Sequence, residues 1–451
     1  MITMTPILTR RGVGLRYQAA QKRMIFVNSS SSSCPRLPTV LALSMLLLSL
    51  AGPGWAKKHT PPHRSKKTQT VKKNAVAVPT RHDGQAEARL MEVYRLLGSG
   101  HGRTALPKAE QLVKDYPNFQ LAQLVYGDLL TSRRQPVRVL GDVPTELAAA
   151  GTGHLQELRD ESRLRLTALQ ERPPAGAIPS QFLSLSARNK LAIAIDVSKA
   201  RLYLFENTPT GTQLLADYYI SVGKAGTGKN VEGDQRTPLG VYFITSNLDP
   251  ASLKDLYGSG ALPINYPNAL DMKRGKTGSG IWLHGTPSAQ FTRAPLATDG
   301  CVAVANPDLD RIIRTVEIRT TPVLIAPSLK WVSAQSLSAE KKEFSDVLQA
   351  WAKATSNPDA RQLKRFYAAN FTSDEKTLAA RAGPVRHVTA QKGPGATRLI
   401  EVSYLRWTDE SDFMIATFGE VTEGAKGGRT IRQYWQRQGQ QWQIIYEAVV
   451  G

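Results

Sequence analysis

Apolar positions between residues 85 and 170 recur at helical spacing. Leu90, Val93, Leu96 and Leu97 fall on one face, followed by Ala109, Leu112 and Val113, then Leu121, Leu124, Val125 and Leu129. A stripe of this period predicts amphipathic helices packed as hairpins, a helical domain over 85–171. Arg172-Pro-Pro-Ala-Gly-Ala-Ile-Pro179 breaks it, because proline cannot donate the helical bond and turns its predecessor away from helix. Beyond the break the runs shorten. Residues 191–197, 201–205 and 214–222 are rich in β-branched and aromatic side chains and read as strands. Residues 236–244 add a turn and a strand, 280–284 and 322–325 add strands, and 308–316 reads as a helix, so 185–328 is a mostly β domain. A third unit, 338–451, opens with helical spacing at Phe344, Val347, Leu348 and Trp351, and Leu363, Phe366 and Tyr367 continue a second helix. Alternating strands follow over 399–407, 413–421, 430–435 and 442–449, with Gly439 marking the hairpin between the last two.

Charge changes the picture of the amino-terminal part. Residues 40–51 are apolar, too few for a membrane span, which needs roughly 18 or more. Arg10, Arg11, Arg16, Lys22, Arg23 and Arg36 accompany the run without any acidic residue, and Gly54-Trp-Ala56 follows it. This is the make-up of a signal peptide, 1–56, cleaved after Ala56, with Met24 as an alternative start. Eight further basic residues and no acidic one lie between 57 and 81, so the net charge of +21 leaves 21 − 6 − 8 = +7 for the rest. Residues 57–84 therefore read as a basic disordered linker, a solvated tether whose candidate partner is an anionic envelope surface. The protein is expected to be exported to the periplasm, or tethered to the inner membrane if the signal stays uncleaved. Nucleic acid is not an expected partner. With 451 residues, 41% of them apolar, the chain can build two or three real cores.

Of two cysteines, Cys34 falls in the signal segment, leaving Cys301 alone in the mature chain. An unpaired thiol in an exported protein suggests a reactive role, although a lone Cys is also commonly a small buried apolar residue. His284 lies seventeen positions earlier, at the end of the strand 280–284, and is the candidate base for a Cys301 nucleophile. Gly300 permits a tight turn before the cysteine, and the backbone N–H groups of Gly300 and Cys301 are candidate oxyanion donors. Asp299 either supports an imidazolium at His284 or caps the turn, and Gly285 is a further supporting candidate. No second His or Cys lies close enough to complete a zinc site, and no metal or cofactor is expected. The order His before Cys is the reverse of papain-type proteases.

Several ordered motifs in the central domain resemble the L,D-transpeptidase (YkuD-type) catalytic domain. Ile195-Asp-Val-Ser-Lys-Ala-Arg-Leu-Tyr-Leu-Phe is similar to its opening hairpin, Ile220-Ser-Val-Gly-Lys to its second strand, and Gly233-Asp-Gln-Arg-Thr-Pro-Leu-Gly-Val-Tyr to its Thr-Pro-x-Gly turn. His284-Gly285 and Gly300-Cys301 then stand where the family places base and nucleophile. The resemblance implies a peptidoglycan stem peptide as substrate, attacked between positions three and four. A Cys301 thioester would form, D-alanine would leave, and an amine or water would accept the acyl group. Two positions depart from the family pattern: Asp299 replaces a second His, and Ala303 replaces an Arg expected to hold a substrate carboxylate, for which Arg274, Arg293 and Lys276 are candidate substitutes. The stretch 105–130, with Tyr116-Pro117-Asn118 at its turn, resembles a tetratricopeptide-type helix pair, implying an envelope protein partner. Residues 338–451 resemble the cone-shaped nuclear-transport-factor-like domain, and the pairing of the two domains resembles L,D-carboxypeptidases that trim stem peptides and influence cell shape. The expected fold is multidomain: an N-terminal α-helical, tetratricopeptide-like region, a central mostly-β catalytic domain and a C-terminal α+β cone. The competing reading is a catalytically lapsed cell-wall-binding scaffold.

Overall fold

The structure is a computed structural model and describes residues 84–142, 145–355, 360–374, 397–422 and 428–450. The segments read as signal peptide, 1–56, and basic linker, 57–84, lie outside these residues apart from Gly84. Among the described residues no helix is long and apolar enough to cross a membrane.

Four helices come first, α1 (Gln85–Gly98), α2 (Gly102–Asp115), α3 (Gln120–Thr131) and α4 (Thr145–Gln170). Leu90, Val93 and Leu96 of α1 meet Ala109 and Leu112 of α2 and Leu121, Val125 and Leu129 of α3 in one core. Leu97, expected on that face, is 38% exposed. The stripe has by then passed to Leu96, and α1 ends one residue later.

The chain then forms β1 (Ala177–Pro179), β2 (Phe182–Ser184), β3 (Leu191–Asp196), β4 (Arg201–Thr208), β5 (Gly211–Gly223), β6 (Gly240–Phe243) and β7 (Ala261–Pro263). After a short α5 (Ala269–Lys273) come β8 (Trp282–His284), β9 (Leu296–Thr298), β10 (Val302–Val304), α6 (Asn306–Thr315), β11 (Pro322–Ala326) and β12 (Trp331–Ser333). The central sheet has the order β6-β11-β3-β4-β5-β10-β8-β7, with β9 beside β5. Every residue of β3 is buried, because both faces of this sheet are covered. Leu191, Ile193 and Ile195 enter a core shared with Leu309 and Ile312 of α6. The alternate residues Ala192 and Ala194 face a second core, where Tyr203 and Phe205 of β4 fill the space that the alanines leave.

The carboxyl-terminal unit comprises α7 (Ser338–Thr355), α8 (Ala360–Lys364), β13 (Tyr367–Ser373), β14 (Thr397–Thr408), β15 (Asp412–Thr422), β16 (Gly428–Gln438) and β17 (Gln441–Val449). The second helix expected through Tyr367 stops at Lys364, and Tyr367 instead opens β13, which runs parallel to β17 with Tyr367 opposite Ile444. Sheet order is β13-β17-β16-β15-β14-β2, so its outermost strand comes from the segment preceding the central domain. Likewise β1 pairs with β12. One face takes α7 through Phe344, Leu348 and Trp351, packed against Phe418, Trp435 and Trp442. The other face, with Trp407, Phe413, Ile415 and Tyr434, covers the alanine side of the central sheet. Each such large side chain contributes about 1.5–3 kcal/mol by leaving water.

Candidate active site

The two candidate residues come from neighbouring parallel strands. Val302 of β10 lies opposite Leu283 of β8, and Ala303 opposite His284. Ile281, Leu283, Val302 and Val304 point into the core. Alternation therefore puts Trp282 and His284, with Ala303 and Cys301 one step before the strand, on the same opposite face.

The cysteine turn is fastened by two threonines. Thr298 Oγ1 accepts from the Gly300 N–H at 3.1 Å and donates to the Cys301 carbonyl at 2.7 Å. Thr237, in the Thr-Pro-x-Gly turn, donates to the Gly300 carbonyl at 2.9 Å and accepts from the Gly223 N–H at 2.9 Å. Gly300 has φ of 125°, and a Cβ there would stand 2.7 Å from the Arg236 carbonyl oxygen, so both the backbone angle and the packing demand glycine. Since its N–H is already engaged with Thr298, Gly300 is not free as an oxyanion donor, and that expectation narrows to the N–H of Cys301. The Cys301 thiol donates to the Gly280 carbonyl at 3.3 Å. Burial pushes the thiol up, with the Asp299 charge adding to this, while the Trp282 N–H, Lys229 and Arg293 work against it.

His284 is 2% exposed. Its Nδ1 lies 2.6 Å from the Gly285 carbonyl oxygen, a contact that requires Nδ1 to carry the proton and leaves Nε2 as an acceptor. Tyr257 packs edge-on against the imidazole with centroids 5.2 Å apart. Burial, joined by the charge of Arg293, pushes the imidazole down to about 4 against the opposing bond to Gly285. The pair thus rests as a thiol and a neutral imidazole, suited to proton transfer when a substrate arrives and not to a standing thiolate–imidazolium. Among the described residues no direct hydrogen bond joins Sγ to the imidazole.

Gly285 supports the histidine in a second way. Asn306, the first residue of α6, accepts from the N–H groups of Ser259 and Thr286 at 3.0 Å each and donates to the Thr286 carbonyl at 2.9 Å. A Cβ on Gly285 would fall 2.0 Å from its Oδ1, so glycine lets the loops after β8 and before β7 close around Asn306.

Asp299 does not reach the histidine. Its side chain is 73% exposed and accepts from Lys224 at 3.1 Å, across the turn, while Thr298 does the capping. Of the cations considered in place of Ala303, Arg274 is committed to Asp409 through two bonds of 2.7 Å and Lys276 to Asp271 at 3.1 Å. Arg293 remains. It sits close enough to Cys301 and His284 to act on both electrostatically, donates to the Ala297 carbonyl at 2.5 Å, and among the described residues has no carboxylate ion pair. Thr298, Asn306 and Tyr257 escaped the sequence reading. A Thr two residues before Gly-Cys was the one available signal. Among the described residues no cluster of three His, Cys, Asp or Glu side chains is placed to hold a metal ion.

Residues 190–325 match the L,D-transpeptidase catalytic domain (YkuD) family. No curated protein matches the chain. Among solved structures it is similar to Bd1075 of Bdellovibrio bacteriovorus, with 25% identity, 61% of this chain and 98% of that chain covered, and a TM-score of 0.51. It is also similar to the helical cell shape determining protein Pgp2 of Campylobacter jejuni, at 20% identity over 64% of this chain and 98% of that chain, TM-score 0.48. An NTF2-like protein of unknown function from Pseudomonas putida matches 25% of this chain and 85% of its own at 18% identity, TM-score 0.20.

Proposed function

We propose that this chain, whose residues 190–325 form a domain of the L,D-transpeptidase catalytic family, is a peptidoglycan-modifying cysteine acyl-transfer enzyme, a transpeptidase or carboxypeptidase of stem tetrapeptides. The observation that carries this reading is the pairing of β8 with β10, which sets His284 and Cys301 on one face with the imidazole held through Gly285.

In this reading the Cys301 sulfur attacks the carbonyl joining positions three and four, and its proton passes to Nε2 of His284. The N–H of Cys301 stabilises the oxyanion. Collapse breaks the amide bond, His284 returns the proton to the departing amine, and D-alanine leaves a thioester on Cys301. Water then regenerates the thiol and gives a tripeptide, whereas an amine gives a cross-link or an attached protein. Arg293 anchors a substrate carboxylate in place of the arginine that Ala303 lacks. The signal-peptide reading of 1–56 fits a periplasmic substrate.

The test is twofold. A carbapenem, which mimics the acyl donor, should leave one covalent adduct on Cys301 by intact mass, and the protein should release D-alanine from tetrapeptide muropeptides. Cys301→Ser should abolish both while leaving the melting temperature unchanged. An amine acceptor added to the same assay separates cross-linked dimer from trimmed tripeptide. One observation favours the scaffold reading, namely that the thiol is turned to the Gly280 carbonyl; a folded protein that forms no adduct and releases no D-alanine would favour it further.

A further inference from the structure

The helical region does not sit apart from the candidate site. Its core includes Phe291, whose ring lies 4.5 Å from Phe119 and 5.1 Å from Tyr116, centroid to centroid. Asn118 holds the same loop twice, donating its side-chain N–H to the Ser288 carbonyl and accepting the Phe291 N–H on its own carbonyl, each at 3.0 Å. One residue further on, Thr292 donates to Glu161 Oε1 of α4 at 2.8 Å.

Glu161 is itself fixed from behind. Its Oε1 accepts from Nε and Nη2 of Arg165 at 2.9 and 2.7 Å. Arg165 continues to Glu87 at 2.8 Å, Glu87 to Arg201 at 2.7 Å, and Arg201 to Asp217 at 2.9 Å, a chain of alternating charge buried between α1, α4 and the central sheet. Such a chain contributes little net stability, because desolvation offsets pairing, and its use lies in fixing one geometry. The guanidinium of Arg165 also lies 4.0 Å over the ring of Tyr219, whose hydroxyl donates to the Arg293 carbonyl at 3.0 Å. Arg293 is therefore held on both sides, through its neighbour Thr292 and through its own carbonyl. Arg293 lines a cavity of about 360 Å³ together with Glu157, Leu158 and Glu161 of α4.

We propose that α4 is part of the substrate site: Glu161, through Thr292, positions the 286–297 segment so that Arg293 faces the peptide, making Thr292 and Glu161 positioning residues for substrate binding. This rests on Arg293 being the carboxylate anchor. The helical region is then a working part of the catalytic unit.

The experiment measures binding of a stem tetrapeptide to the full Cys301→Ser protein by calorimetry, which needs no turnover. Thr292→Val, which keeps the shape and removes the hydroxyl, should weaken binding about tenfold, the scale of one lost hydrogen bond to a charged acceptor. Thr292→Ser should restore it. Arg293→Gln should weaken binding as well, and adding Thr292→Val to it should cause no further loss, since both act through one group. Unchanged affinity in Thr292→Val, independent additive losses, or no peptide binding by the Cys301→Ser protein would each overturn the proposal. Absence of a carbapenem adduct on the Cys301 protein, by contrast, would sink the enzymatic reading and leave these binding results intact.

Discussion

His284 gives the most quantitative prediction. Its folded state holds the imidazole down to about 4, chiefly through burial, whereas an unfolded histidine titrates near 6.5. The depressed value means that the unfolded chain takes up a proton the fold refuses, so His284 supports stability above the unfolded value and that support drains away as pH falls toward 4. Integrating the two titrations between pH 7 and pH 5 gives a loss of about 2 kcal/mol from this residue alone. The assay is urea unfolding across that range for the wild-type protein and His284→Gln, which retains a donor for the Gly285 carbonyl but cannot titrate. Stability of the wild type should fall more steeply by about that amount. The same protonation should place the acid limb of kcat/KM near 4 and not near the ordinary histidine value. Identical pH dependence in both proteins, or an imidazole midpoint near 6.5 by NMR, would refute the reasoning.

Three other outcomes follow from the geometry. Gly285→Ala places a methyl 2.0 Å from Asn306 Oδ1; it should cost about 1–3 kcal/mol in urea unfolding and slow alkylation of Cys301. Thr298→Val leaves the buried Gly300 N–H without its acceptor, so acylation should slow roughly ten- to hundredfold, with Thr298→Ser near wild type in a stopped assay with a carbapenem. Trp351→Ala empties the core between α7 and its sheet and should lower unfolding free energy by about 3–5 kcal/mol, read by calorimetry as a destabilised carboxyl-terminal unit.

Much of the architecture was legible because strong periodicity records burial directly. The strands β14 to β17 are long, nine to twelve residues each, and rich in β-branched and aromatic side chains, although β16 buries Ile431 to Trp435 without a break because both its faces are covered. Strand β3 announces itself by Leu-Ala-Ile-Ala-Ile, where large and small residues divide between two cores. His284 and Cys301 stood out by residue type and isolation. What stayed hidden depends on partners far away in the chain. The three-residue strands β1, β2, β9 and β12 carry no period of their own and exist through pairing with segments remote in sequence. Arg293 was one of three cations without distinction until the structure tied Arg274 and Lys276 to acids. Asp299 drew attention as the residue replacing a histidine, yet the neighbouring Thr298 performs the turn chemistry, because a short hydroxyl side chain reaches the backbone that an outward carboxylate leaves for Lys224.

The strand loan at β2 has a consequence for how the protein comes into being. Phe182 is synthesised before the central domain, yet its place opposite Leu405 does not exist until β14 has emerged. A fragment ending after β11 would therefore leave Phe182 stranded and bare the aromatic surface of Tyr203 and Phe205 to solvent. Completion of this second core thereby waits for the carboxyl-terminal unit.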